Sequence, residues 1–447
     1  MNPSSEPVIV FTSDHHIGGD GKLDTFDNTS EFIAFLDQLE TEHSSVELVL
    51  LGDFLELLQI TPTKTKNKIE ILLEKQEYRN MFQRLKKFSE KHHIFYILGN
   101  HDQELYWNKD LQNTLANYGL KISGKENLSY VHRFILGKKQ FVIYAEHGNQ
   151  FDPQNKFIDW SSRTETPLGH HMIVDVVNNI GKLKKGSGRE WLHEMSNVRP
   201  LELMPTWFIS NYFYEELNRI LKILAVPILL GFIITRLIPI YFLLKLFNLK
   251  FFRLAILPKP FLIGILSIIG IDITIILLFV VFYIIKKDIF MTLHRYGITN
   301  YDEIMRKRQH HYTTIAKRIF DGEQITIDPL LDIDFFVHGH THETDLKKIS
   351  ASGKRKDKGY ANIGTWHKGL HRLKTMYGFP PVFIPSYELT YLKVFRKGGR
   401  IVAQQWEQGK EYKLSLTPLQ RLACLGRFIK KHTKKETRFV REMVFDF

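Results

Sequence analysis

Five short blocks carry the residues of this chain whose types and spacing point to chemistry. They are Asp14-x-His16, Gly52-Asp53, Gly99-Asn100-His101-Asp102, Glu146-His147-Gly148 and His338-Gly339-His340-Thr341-His342. Together they offer carboxylate, amide-oxygen and imidazole donors and no thiolate, a set suited to Mn²⁺, Fe or Zn²⁺. Each block closely follows a short apolar run, at residues 8–11, 46–51, 94–98, 141–145 and 333–337. Runs of that length, rich in Val, Ile, Phe and Tyr, read as buried strands. Ligands of α/β sheets bind just outside the carboxyl ends of strands, so the five blocks are placed to converge on one site. Any one block is weak, because Asp-x-His decorates many loops and a lone His-Gly is more often a turn. Five in succession, each at a strand end, are hard to produce by chance.

Elements with helical spacing lie between the runs. Phe32, Phe35, Leu36 and Leu39 share one face of residues 30–39, and residues 68–88 show a similar pattern. The alternation predicts an α/β arrangement. Residues 360–366 read as one more strand. The interval from His147 to His340 is far longer than the other gaps, and an insertion belongs there. Its first part, residues 159–182, carries Met172, Val176 or Val177, and Ile180 at helical spacing, which predicts an amphipathic cap helix.

The second part, residues 217–285, is strongly apolar and holds one acidic residue, Asp272. Within it, segments 222–244 and 261–285 are each long enough for the ~20 helical residues that cross a bilayer. Arg236 and Asp272 make them uncomfortable in lipid unless the two side chains pair. Both flanks of the insertion must return to one catalytic site, so any spans are even in number. The connector carries Lys245, Lys250, Arg253 and Lys259, and positive charge prefers the cytosol. A re-entrant or interfacial hairpin therefore stands beside a plain transmembrane one. After Thr417-Pro418, a good helix start, basic residues from Arg421 to Arg441 interleave with Leu422, Leu425, Phe428 and Ile429. This reads as an amphipathic segment for an anionic leaflet.

The chain has 447 residues, 44% of them hydrophobic, and a formal net charge of +13. Such a balance favours an anionic partner, nucleic acid or membrane. Much of the charge lies beside apolar segments, which favours lipid over nucleic acid. The single cysteine, Cys424, excludes an intrachain disulfide and fits a reducing cytosol. Residues 1–7 have neither the basic nor the apolar region of a signal peptide. The expected organisation is a catalytic domain in two parts, 1–155 and 321–410, a cap and membrane-associated insertion at 156–320, and a basic tail at 411–447.

In order and spacing the five blocks resemble those of calcineurin-like metallophosphoesterases, across residues 8–150 and 332–368. The resemblance implies a four-layer αββα sandwich, here with a long, apolar helical insertion. It implies two divalent metal ions, Mn²⁺ foremost with Fe or Zn²⁺ as alternatives, and a bridging hydroxide that attacks a phosphoester or pyrophosphate. Asp14, His16, Asp53 and His342 would hold one ion. Asp53 would bridge, and Asn100, His147 and His340 would complete the second. His101 would act on the leaving-group oxygen, with Asp102 a candidate to orient it.

Gly52-Asp53-Phe54-Leu55-Glu56 and the closing stretch from Asn362 to Trp366 are similar to UDP-diacylglucosamine hydrolases, which cleave a pyrophosphate on a membrane lipid. Those enzymes have Arg after the Asn of the third block, where this chain has His101. The expectation is a phosphorylated small-molecule or lipid substrate, met on the cytoplasmic side of an anionic membrane. The alternatives are a nuclease or cyclic-nucleotide-type phosphodiesterase, and a non-catalytic membrane scaffold. His15, His92, His93, His170, His171, His310 and His311 sit in polar contexts and are expected to face solvent.

Overall fold

Alternation along the first strand sets the layers. In β1 (Val8–Thr12), Ile9 and Phe11 point to one side and Val10 to the other, and all three are fully buried. A strand with no wet face lies inside a sandwich. The computed structural model describes residues 6–181, 190–199, 201–216, 266–273, 301–328, 332–350, 358–376, 379–414, 416–424 and 436–446, with scattered further positions between 218 and 295.

β1 pairs in parallel with β2 (Val46–Leu51), which pairs in parallel with β3 (His93–Ile97). The first sheet also takes in three late strands, β11 (Leu389–Lys397), β12 (Arg400–Gln408) and β13 (Arg438–Phe445), in the order β13-β12-β11-β1-β2-β3. The second sheet runs β4-β5-β6-β8-β7. Its strands are β4 (Ser129–Leu136), β5 (Lys139–Glu146), β6 (Phe335–His338), β7 (Thr344–Ile349) and β8 (Lys358–Ile363). β5 and β6 are parallel, with Ala145 opposite Val337. This single pairing carries the chain across the insertion and sets the fourth block beside the fifth.

Between the sheets, Ile9, Phe11, Val49 and Leu51 pack on Ile143, Ala145, Phe335 and Val337. On the outer face of the first sheet, Val10, Leu48 and Leu50 meet Phe32, Phe35 and Leu39 of the helix Thr29–Glu42 and Phe82 and Leu85 of the helix Gln76–Ser89. On the outer face of the second, Tyr144 and Phe336 meet Ile315 and Ile319 of the helix Tyr301–Phe320. Helix, sheet, sheet and helix form a mixed α/β sandwich of four layers. A two-stranded ribbon of β9 (Lys368–Leu373) and β10 (Val382–Tyr387) stands apart, covered by Met195, Val198, Leu203 and Trp207.

Three expectations need correction. Residues 68–88 form two helices, Lys68–Leu72 and Gln76–Ser89, the first opened by a capping box on Asn67. The cap stretch becomes helical only from Leu168, and Met172–Val177 is a π-helical turn within it. The C-terminal stretch is described only at its two ends, and residues 425–435 lie outside the described residues. A helix spans Pro418–Cys424, and Arg438–Phe445 is the edge strand of the first sheet, where Arg438 pairs with Glu407 and Arg441 donates to Gln405.

Among the described residues no helix is long and apolar enough to cross a membrane. Most of segment 222–244 and eleven positions of segment 261–285 lie outside the described residues. The positions described there are helical, and Arg236 donates to both carboxylate oxygens of Asp272 at 3.0 Å.

Candidate metal centre

Backbone strain marks the site before its side chains do. Among the described residues, five non-glycine positions have positive φ: Asp14 (55°), His16 (51°), Asp53 (49°), His340 (68°) and His342 (60°). Left-handed backbone is costly for residues with a Cβ and survives where surrounding structure over-determines it, commonly at functional sites. All five lie just beyond the ends of β1, β2 and β6. The strain turns their side chains toward one another.

Three donor groups result, Asp14 with His16 and His342, Asp53 with His147 and His340, and His16 with Glu56 and His101. His342 Nε2 lies 3.2 Å from Asp14 Oδ1 and 3.1 Å from His16 Nε2. Asp53 Oδ2 lies 3.2 Å from His147 Nε2 and 3.9 Å from His16 Nε2, so it stands between the first two groups. The other oxygen of Asp53 accepts the His101 backbone N–H at 2.8 Å.

Partners outside the cluster aim the donors. Leu51 carbonyl accepts from His147 Nδ1 at 3.0 Å, which turns Nε2 inward. Asp14 Oδ2 accepts from Ser13 Oγ and from the His340 backbone N–H, leaving Oδ1 toward the site. Asn100 Nδ2 faces Asn155 Oδ1 at 3.5 Å, leaving its own Oδ1 inward.

Asp14 Oδ1, Asn100 Oδ1 and His147 Nε2 are buried and form no hydrogen bond, the first and last meeting His342 and Asp53, other members of the cluster, at 3.2 Å. Buried polar atoms are otherwise nearly always satisfied. Three orphaned donors of the right types, converging from three strand ends, fit a pair of divalent cations. Burial and the neighbouring Arg199 press His342 down to about 3, so its ring is the neutral form that binds a cation. Burial pushes the Asp53 carboxyl up, but His147 and His101 outweigh it and hold Asp53 well below the carboxylate range.

Two glycines of the blocks answer to this crowding. A Cβ on Gly52 would lie 2.2 Å from His147 Nδ1, and one on Gly99 would lie 2.2 Å from Asp53 Oδ1. Gly99→Ala is therefore expected to displace Asp53 and weaken metal affinity at least about tenfold. Titration of the purified variant with Mn²⁺ measures this.

The structure brings Asp14, His16, Asp53, His147, His340 and His342 together, with His101 at their edge and Asn100 in the loop whose His101 N–H is held by Asp53. It sends Asp102 elsewhere. That carboxylate is fully buried and accepts from Gly99 N–H (2.6 Å), Phe54 N–H (3.1 Å) and Tyr96 Oη (2.8 Å), so it braces two loops. The partner of His101 is Glu56, whose oxygens lie 2.8 and 2.7 Å from His101 Nδ1 and 3.1 Å from His16 Nδ1. Burial lowers His101, but Glu56 and Asp53 outweigh it and raise the ring to about 9.

Three further residues escaped the sequence reading. Asp152 lies 3.1 Å from His340 Nε2. His367 sits with its ring 5.5 Å from that of His16, and Arg199 donates to His342 Nδ1 at 3.3 Å. His15 is corrected as well. It is fully buried among Phe32, Phe54 and Trp366, and burial presses it down to about 3. His92 is buried too, against Phe88.

Comparison with protein families matches residues 7–224 to the family described as calcineurin-like phosphoesterase. The match takes in Asp14, Asp53, Asn100 and His147, and the β5–β6 pairing adds His340 and His342 to the same cluster. No curated protein matches the chain. The matched family and the convergent donor groups agree on one activity: residues 7–224 match a calcineurin-like phosphoesterase domain, and the protein is a hydrolase acting on phosphoester bonds.

Proposed function

We propose that this protein is a membrane-associated, two-metal hydrolase of phosphoester or pyrophosphate bonds, acting on a lipid-linked substrate at the cytoplasmic face of a membrane. Asp14, His16, Asp53 and His342 would hold one cation, and Asp53, Asn100, His147 and His340 the other. Two divalent cations so held, Mn²⁺ for preference, would supply Lewis acidity and lower the pKa of a water between them. His101, kept protonated by Glu56, faces the edge of this site and would donate to the departing oxygen.

The observation that carries the membrane reading is the exposure of apolar side chains at helical positions. Leu230, Ile233, Leu237, Ile263, Leu266 and Ile276 are each 42–63% exposed, and further apolar positions to 284 fall in that range. Water would penalise so large an apolar patch, whereas lipid would accept it. The Arg236–Asp272 pair supports the same reading, because pairing relieves the cost of carrying either charge into apolar surroundings. Flanking Lys286 and Lys287, and the connector's basic residues, would meet anionic headgroups, each contributing ~1 kcal/mol. The similarity of residues 52–56 and 362–366 to lipid pyrophosphate hydrolases favours a lipid substrate, while His101 in place of Arg leaves its chemical identity a matter for assay.

Two measurements test this. The full-length protein is expected to sediment with membranes, resist salt extraction and require detergent. Recovery in the supernatant without detergent would remove the membrane from the proposal. Assays with Mn²⁺ against a monoester, a diester and a nucleotide–lipid pyrophosphate are expected to show the last turned over most efficiently. Preference for a polynucleotide, with binding that falls steeply in salt, would favour a nuclease instead.

A further inference from the structure

Arg199 is a cation without a carboxylate partner at the mouth of the metal centre. Its hydrogen-bond partners are neutral: Nε donates to His342 Nδ1 at 3.3 Å and Nη1 to the Val198 carbonyl at 2.9 Å. The comparison with Arg308 nearby is instructive, since Arg308 pairs with Glu343 at 3.0 Å and Glu202 at 3.3 Å. Among the described residues no carboxylate lies within ion-pair distance of Arg199. Together with His16, Glu56 and His101 it lines one small pocket, to which Ile173 and Ser196 add a wall. A charge held in so enclosed a place is costly unless an anion joins it.

The scaffold holds Arg199 in this position. Val198 is fully buried and bridges to Leu370 of β9, and Met195 and Trp207 pack around it. The guanidinium thus comes from the insertion and reaches back to the donor cluster at His342. A guanidinium presents a planar fork of N–H donors that matches phosphoryl oxygens, and the one-bond contact to His342 leaves most of that fork unused.

We propose that Arg199 is a substrate-binding residue, whose guanidinium takes a phosphoryl oxygen of the substrate beside the metal pair. The proposal rests on the phosphoesterase reading and adds to it that the insertion supplies part of the phosphate site. It also gives the insertion a role in the chemistry distinct from any contact with lipid.

The experiment uses the full-length chain in detergent, loaded with Mn²⁺, with nitrophenyl phosphate esters as substrates and inorganic phosphate as the ligand. Arg199→Gln keeps a donor for His342 Nδ1 but removes the charge and the fork. It is expected to raise KM and the inhibition constant for inorganic phosphate by about 10- to 100-fold while metal content stays at two per chain. Arg199→Lys, which restores charge without the fork, should recover part of that loss. If Arg199 only positions His342, Arg199→Gln will bind phosphate as the wild type does, or lose metal and recover normal phosphate inhibition when Mn²⁺ is raised. Either result overturns the proposal. Wild-type protein that holds two metals yet neither hydrolyses the esters nor binds phosphate would overturn the phosphoesterase reading itself, a distinguishable outcome.

Discussion

Asp53→Asn is expected to abolish nearly all hydrolysis, on the order of 10³-fold or more, and to leave at least one metal position empty. Asp53 is 1% exposed and its two oxygens have separate tasks. One accepts the His101 N–H, and the other stands 3.2 Å from His147 Nε2 and 3.9 Å from His16 Nε2. An amide has one oxygen. If that oxygen stays with the His101 N–H, an NH₂ group faces the two donor sets and repels any cation between them. If the amide flips, the loop that carries Asn100 and His101 loses its anchor. The substitution is nearly isosteric, so the fold should survive, as circular dichroism and thermal denaturation will record. Metal content per chain and turnover with a nitrophenyl ester measure the loss. Full occupancy at wild-type turnover would remove Asp53 from the site.

The strand-end blocks were legible because two separate periodicities coincide in them. Apolar runs mark strands buried on both faces, and a polar residue directly after such a run has little place to go except the carboxyl edge of the sheet. Glu56 shows where this stops. It stands three residues past Asp53, and nothing in that spacing says that the loop folds back so that the carboxylate reaches both His16 and His101. Asp102 was the nearer neighbour in sequence and the wrong one in space. The turn after β3 points it down into Gly99, Phe54 and Tyr96, where burial and Asp53 push it up to about 7. His15 failed for a related reason. Asp14 and His16 on either side face the donors, which leaves His15 directed into the aromatic cluster of Phe32, Phe54 and Trp366.

Arg199 carried no signal at all. A lone Arg between Val198 and Pro200 becomes informative only when the β9 ribbon and the segment covering it bring position 199 over the metal centre. The late strands were equally opaque. β11 and β12 join the first sheet from more than 370 residues along the chain, and β13 places the end of the basic stretch in an edge strand, where Arg438 pairs with Glu407 and Arg441 donates to Gln405. Charge periodicity without knowledge of the neighbouring strand reads the same way for a helix on a membrane. By contrast, the pairing of Arg236 with Asp272 was a physical requirement before it was an observation, because two apolar segments each carrying one opposite charge have an obvious solution.

His101→Ala is expected to keep both metals and lose ~10²–10⁴ in rate if the ring acts on the leaving group. His101 falls outside the two cation sets proposed above, and shares the third donor group with His16 and Glu56. Its Nδ1 is engaged by Glu56, which leaves Nε2 as the atom available to a departing oxygen. The loss should shrink with leaving groups that need no proton, such as nitrophenolate, and grow with alkoxides. A loss equal across leaving groups would assign His101 to phosphate positioning instead. The pH profile provides an independent reading. A ring raised to about 9 is protonated at neutral pH, and the donor is lost as pH rises through that value. Two cations bound nearby would pull it down, so the alkaline limb of the wild type is expected below pH 9. Burial opposes the proton and Glu56 is the largest influence that favours it, so Glu56→Gln should move that limb to lower pH. It should do so without changing the dependence on leaving group, since His101 itself remains. A limb that stays in place in Glu56→Gln, or that persists in His101→Ala, would show that another group, such as the metal-activated water, is the one that titrates.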